Sequence, residues 1–170
     1  MIHVCSLARL HETVAATGAR HVVSLLARED RVSRPADVAA EDHLWLQLHD
    51  ISTPLDGYEM PDVQHVEKLV AFVRRWPRRT PLVMHCYAGI SRSTAAAFVS
   101  VCALNPEQSE LVVADALRRA SPTATPNIRI VTLADHFLRR DGRMIRAVEA
   151  IGVGAPAAEA EPFRLDLAGH

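Results

Sequence analysis

Apolar and polar positions along this chain fall into two alternating rhythms. His21-Val22-Val23-Ser24-Leu25-Leu26 and Leu82-Val83-Met84 are near-continuous apolar runs, the pattern of strands buried on both faces. Leu44-Trp45-Leu46-Gln47-Leu48-His49-Asp50 alternates instead, as a half-buried strand does, and Val4-Cys5 is a short extended start. Helical spacing fills the intervals. Ser6–Thr17 predicts a helix stopped by Gly18, and Pro61-Asp62 opens another with Val63, Val66, Leu69, Val70 and Val73 on one face. Ser91–Leu104 follows the third apolar run. Asn105-Pro106 starts a helix reaching about Ala120, Pro126-Asn127 opens one with Ile128, Val131, Ala134 and Phe137 inward, and Met144–Ile151 follows the Asp141-Gly142 break. Residues 27–43 read as a loop with one helical turn near Pro35–Ala40. Strands alternating with helices predict an α/β fold, with a central, mainly parallel sheet flanked by helices.

Composition sharpens the domain picture. The 170 residues, 49% of them apolar, suffice for one core, which we place in residues 1–151. Residues 152–170 begin rich in Ala, Pro and Gly and read as a tail, with Phe163–Leu167 able to dock back as an edge strand. A net charge of −1 supplies no field for nucleic acid, and no apolar run approaches a membrane span. Met1–Leu7 lacks the basic region and apolar core of a signal peptide. Three irregularly spaced cysteines form neither a disulfide framework nor a zinc cluster, so a reducing cytoplasm is the expected compartment. Arginine dominates the positive charge, with Lys68 the sole lysine; with the abundant alanine this points to a high-GC bacterial genome.

The densest chemistry lies in His85-Cys86-Tyr87-Ala88-Gly89-Ile90-Ser91-Arg92-Ser93, between a buried strand and a helix. A loop so placed has free backbone N–H groups at a helix N-terminus, where an anion binds. Cysteine attacks only as a thiolate; a free thiol titrates near ~8.5, and a helix N-terminus and a guanidinium both favour the anion. Arg92 can take two phosphoryl oxygens at once, which a lysine cannot. Gly89 allows a positive φ and close approach to a ligand. The Ser93 hydroxyl can donate to the departing sulfur, and His85 can order the loop from behind. Tyr87, Ala88, Gly89, Ile90, Ser91 and Arg92 would surround the phosphate. Passing a phosphoryl group to sulfur and then to water divides one hard displacement into two easier ones.

His85-Cys86-(five residues)-Arg92-Ser93 resembles the signature of the protein tyrosine phosphatase superfamily in its cysteine-based, dual-specificity-like form. A similar order of elements extends over about residues 20–140. The resemblance implies a cysteinyl-phosphate intermediate, no metal or other cofactor, and an aspartate general acid on an upstream loop. Asp50, at the end of its strand, fits that place; Asp56, on the same loop before Gly57, is the alternative, although it reads better as a turn former. The expected activity is phosphomonoester hydrolysis, on phosphotyrosine and also on phosphoserine or phosphothreonine, with a phosphorylated protein or small phosphomonoester as partner.

Plainer readings stand beside these. Cys5 and Cys102 read as small core residues, each a conceivable oxidative partner for Cys86. Ser91 reads as a helix cap, and Trp45 as a core residue. Arg74-Arg75 with Arg78-Arg79, and Arg139-Arg140 with Arg143, read as solvated helix ends. Arg92 in a first helical turn opposes the macrodipole and so calls for an anion. The loop carries no lysine, against a polyphosphorylated substrate. Two other classes remain open: a rhodanese-like sulfurtransferase, whose loop is commonly shorter, and a non-catalytic phosphoprotein-binding module, which would typically have lost Cys86, Arg92 or the acid.

Overall fold

The computed structural model describes residues 1–166; Leu167 of the expected edge strand lies outside them. Five strands, β1 (Ile2–Ser6), β2 (His21–Leu26), β3 (His43–Gln47), β4 (Leu82–Cys86) and β5 (Phe163–Leu165), form one sheet in the order β3-β2-β4-β1-β5. The β1–β4, β4–β2 and β2–β3 pairings are parallel, and β5 is antiparallel to β1. Every residue of β2 and β4 is buried, as central parallel strands require. The carboxyl ends of the parallel strands share one edge of the sheet, the usual place for a ligand site in such folds.

Six helices cover the sheet: α1 (Leu10–Thr17), α2 (Val63–Arg75), α3 (Arg92–Leu104), α4 (Glu110–Ala120), α5 (Ile128–Phe137) and α6 (Arg143–Ile151). The large core joins the sheet to α2–α6, while Leu10 and Val14 of α1 pack with Cys5, Val22, Val38 and Val83 in a smaller cluster. From Arg92 to Ala103 no residue of α3 is exposed, and the run Ala95-Ala96-Ala97 lets it lie between the sheet and the outer helices. Helix α2 starts at a capping box: the Asp62 carboxylate accepts from the Gln64 amide at 3.1 Å, and the Asp62 amide donates to His65 Nδ1 at 3.0 Å.

Several boundaries differ from the sequence reading. Residue Ser6 is the last of β1, paired with Cys86, and the helix opens only at Leu10. Helix α4 opens at Glu110; Asn105–Gln108 closes a turn instead, with the Gln108 amide donating to the Asn105 carbonyl. The helical turn of the first loop falls at Ala40–Asp42. Trp45 is 41% exposed because β3 is an edge strand. Arg140 is buried, donating to Glu110 at 3.1 Å and to the carbonyls of Pro106 and Cys102. A helix-end guanidinium can go inside when a carboxylate and free carbonyls await it.

Candidate active site

Strand β4 delivers Cys86 to the sheet edge, and the chain turns through Tyr87–Ser91 into α3. Gly89 sits at φ 76°, and a Cβ there would lie 2.9 Å from the Cys5 carbonyl carbon and 3.0 Å from the Ser6 nitrogen. Both conditions demand glycine. Four loop carbonyls are held outward by backbone amides from three other segments. Tyr87 O accepts from Leu7 N (3.0 Å), Ala88 O from Ala160 N (2.9 Å), Ile90 O from Thr125 N (2.9 Å) and Ser91 O from Asn127 N (3.2 Å). In a planar trans peptide the next residue's N–H points opposite the carbonyl. The amides of Ala88, Gly89, Ser91 and Arg92 are thereby turned to the inner side of the loop, as an anion-binding nest requires.

Inside this ring Cys86 is 2% exposed, with its Sγ 3.1 Å from the Ser93 hydroxyl. Arg92 is buried; Nη1 donates to the Leu48 carbonyl at 3.0 Å, and Nε has no protein partner among the described residues. One arm of the fork anchors the side chain to the end of β3, and a buried N–H remains for an incoming oxygen. Behind the loop, His85 Nε2 lies 2.6 Å from Ser24 Oγ, which lies 2.8 Å from His43 Nε2. Burial pushes the His85 imidazole down to about 4, partly opposed by the Cys86 backbone, so the ring is neutral near pH 7. Its hydrogen bond reaches Ser24 on β2, which ties the end of β4 to the neighbouring strand.

The loop after β3 meets this ring through side chains. Asp50 Oδ1 accepts from Ser91 Oγ at 2.7 Å and from Asn127 Nδ2 at 2.8 Å. Asn127 also caps α5, its Oδ1 accepting from the Ile130 amide at 3.1 Å. One side chain thus ties the start of α5 to Asp50, and its backbone ties it to the phosphate-type loop. Ser91 precedes α3 without a side-chain capping bond, because its hydroxyl is spent on Asp50. Asp56 is exposed and reaches none of these groups.

Cys86, Arg92, Ser93 and Asp50 are therefore brought together with Tyr87–Ser91, and His85 lies behind them. Asn127, the Leu48 carbonyl and Ala160 complete the arrangement. In sequence Pro126-Asn127 marked a helix opening and resembled a late feature of dual-specificity phosphatases; the other two act through backbone atoms and carry no signal. Cys5 belongs to the α1-side cluster, whereas Cys86 belongs to the large core, and Cys102 lies three helical turns beyond Arg92. Burial pushes both thiols up to about 12, which keeps them protonated. Among the described residues, no group of three or more His, Cys, Asp or Glu side chains could hold a metal ion, and no helix is long and apolar enough to cross a membrane.

Residues 39–121 match the family model described as protein-tyrosine phosphatase. Those residues are the part of the chain that matches a protein-tyrosine phosphatase domain. The chain is a phosphatase hydrolase, and its fold is the dual-specificity one. The crystal structure of DUSP15 superposes with a TM-score of 0.65 at 17% identity, covering 88% of this chain and 89% of that one. Human DUSP28 gives 0.60 at 19% identity over 82% and 92%. PTPMT1 in complex with PI(5)P gives 0.60 at 14% identity over 86% and 94%. No curated protein matches this phosphatase.

Proposed function

We propose that this phosphatase hydrolyses phosphomonoesters on phosphotyrosine, and also on phosphoserine or phosphothreonine, through a cysteinyl-phosphate intermediate. The observation that carries the reading is the loop whose amides converge, with the free Arg92 N–H, on the space above Cys86. The Cys86 thiolate attacks phosphorus, the P–O bond to the leaving group breaks, and Asp50 supplies that oxygen with its proton. Asp50, now a carboxylate, takes a proton from water as the water oxygen attacks the phosphocysteine. The S–P bond breaks, and the Ser93 hydroxyl supports the departing thiolate from 3.1 Å. Fixed amides and Arg92 meet the charge on the equatorial oxygens, where electrostatic stabilisation counts most in phosphoryl transfer.

Tyr87, Ala88, Ile90 and Ser91 bring no cation to the loop, which favours a single phosphate over a polyphosphorylated headgroup. The PI(5)P bound by PTPMT1 is therefore not the substrate type we assign here. Acid-quenched wild-type enzyme mixed with a labelled aryl phosphate is expected to carry one phosphoryl group on Cys86. Cys86→Ser is expected to lose hydrolysis by at least about 10⁴-fold while still binding vanadate. Persistent turnover in Cys86→Ser overturns the mechanism. Thiosulfate-to-cyanide transfer in place of phosphatase activity decides for a sulfurtransferase, and phosphopeptide binding without turnover decides for a binding module.

A further inference from the structure

Beside the phosphate-type loop, and opening onto Asp50 and Ser91, runs a groove of about 720 Å³. This is within the range of ligand sites, roughly 300–1,000 Å³. Its walls are Ile51 and Leu55 of the acid loop, Ile128 of α5, and Val148, Glu149 and Val153 at the end of α6. Leu55 is 54% exposed, Ile128 38% and Val153 85%.

Val153 is the telling residue, because its exposure is enforced. On one side the Gly152 amide donates back to the Val148 and Glu149 carbonyls. On the other, Gly154 N donates to Thr125 Oγ1 at 3.0 Å and Ala155 N to the Pro122 carbonyl at 2.9 Å. Gly154 sits so tightly that a Cβ would lie 2.5 Å from the Thr123 carbonyl. An apolar side chain between two pinned neighbours, held out over a groove that meets the reacting residues, is built for contact with something.

We infer that this groove is a substrate subsite, taking an apolar side chain next to the phosphorylated residue of a peptide; the inference rests on the phosphatase reading above. Charge selects the occupant. The ionisable side chains along the groove are the carboxylates Asp50 and Glu149, with no lysine or arginine among its lining. A substrate drawn from an anionic bilayer, or one carrying further phosphates, meets like charge there. A phosphopeptide with a leucine-like neighbour and a neutral or basic flank meets apolar walls and a complementary rim.

Phosphotyrosine peptides in which leucine, glycine or glutamate occupies each of the two positions on either side of the phosphotyrosine test this, beside p-nitrophenyl phosphate and short-chain PI(5)P. At one position wild-type enzyme is expected to prefer leucine over glycine by about 10-fold in kcat/KM, with glutamate below glycine. The leucine-to-glycine ratio, measured within each variant so that any general loss cancels, is expected to fall to about 1 in Val153→Asp and in Leu55→Asp. Both positions are exposed enough to accept aspartate without unfolding. A flat peptide series with p-nitrophenyl phosphate still hydrolysed, an unchanged ratio in both variants, or PI(5)P turned over faster than every peptide overturns the subsite. Failure to hydrolyse p-nitrophenyl phosphate as well overturns the phosphatase reading beneath it.

Discussion

Two loops meet at this site and are held in different ways. The loop after β4 is fixed through its backbone, each of four carbonyls gripped by an amide from elsewhere in the chain. The loop after β3 is held at Asp50 by the side chains of Ser91 and Asn127, and from Ser52 to Glu59 its residues are exposed. Its base is steadied by the His49–Glu59 backbone bond of 2.8 Å, with Tyr58 packed edge-on to the His49 ring 4.8 Å away. The difference fits the tasks proposed for them. A tetrahedral oxyanion has the same shape in every substrate and rewards a preorganised backbone. Leaving groups vary, and an acid carried by side-chain bonds can follow them.

That contrast can be broken by single changes. Gly89→Ala forces a side chain against the backbone of Cys5 and Ser6 and into a φ that L-residues avoid, which alone costs about 1–2 kcal/mol. Displacing the nest is expected to lower kcat by at least about 10³-fold and to weaken vanadate binding in a calorimetric titration. Asp50→Ala is expected to cost about 10²–10⁴-fold on an aryl phosphate and to flatten the alkaline limb of the pH–rate profile. Asp56→Ala is expected to leave the profile unchanged; if Asp56→Ala flattens it instead, the acid assignment is wrong.

Asn127→Ala removes a donor to Asp50 and the cap of α5, for a predicted loss of about 10-fold in kcat with vanadate affinity retained, and about 1 kcal/mol in stability. Equal losses in kcat and in vanadate binding would show that Asn127 holds the whole site rather than the acid. The effect furthest from catalysis concerns the scaffold. The folded protein resists protonation of His85 between its ordinary 6.5 and about 4, whereas the unfolded chain accepts the proton. Stability is therefore full above 6.5 and drops by roughly 3 kcal/mol as pH falls through that window. Burial shifts His43 in the same direction. Urea midpoints measured between pH 7 and 4 are expected to decline, with a shallower decline in His85→Gln.

Cys86 and Arg92 stood out in the sequence because the chemistry proposed for them depends on residue type and spacing within one short segment. Asp50 was readable as the end of an alternating strand, yet its contacts with Ser91 and Asn127, which Asp56 does not make, needed coordinates. Sequence periodicity carries no information about Ala160, whose part is played by an amide that any residue but proline would offer. Trp45 and Arg140 were misplaced for complementary reasons. Burial depends on which strand lies at the edge and which carboxylate waits inside, and both are facts of topology. The helix boundaries at Leu10 and Glu110 moved because pairing with β4 extended β1, and because a turn at Asn105–Gln108 satisfied itself locally.

The bond from Ala160 to Ala88 makes the ring depend on a segment far along the chain. Closing so wide a span costs chain entropy. A polypeptide whose residues 154–165 have not yet docked leaves one of those four carbonyls ungripped. The ring is therefore complete only when that stretch has docked, and not with the sulfur-bearing strand alone.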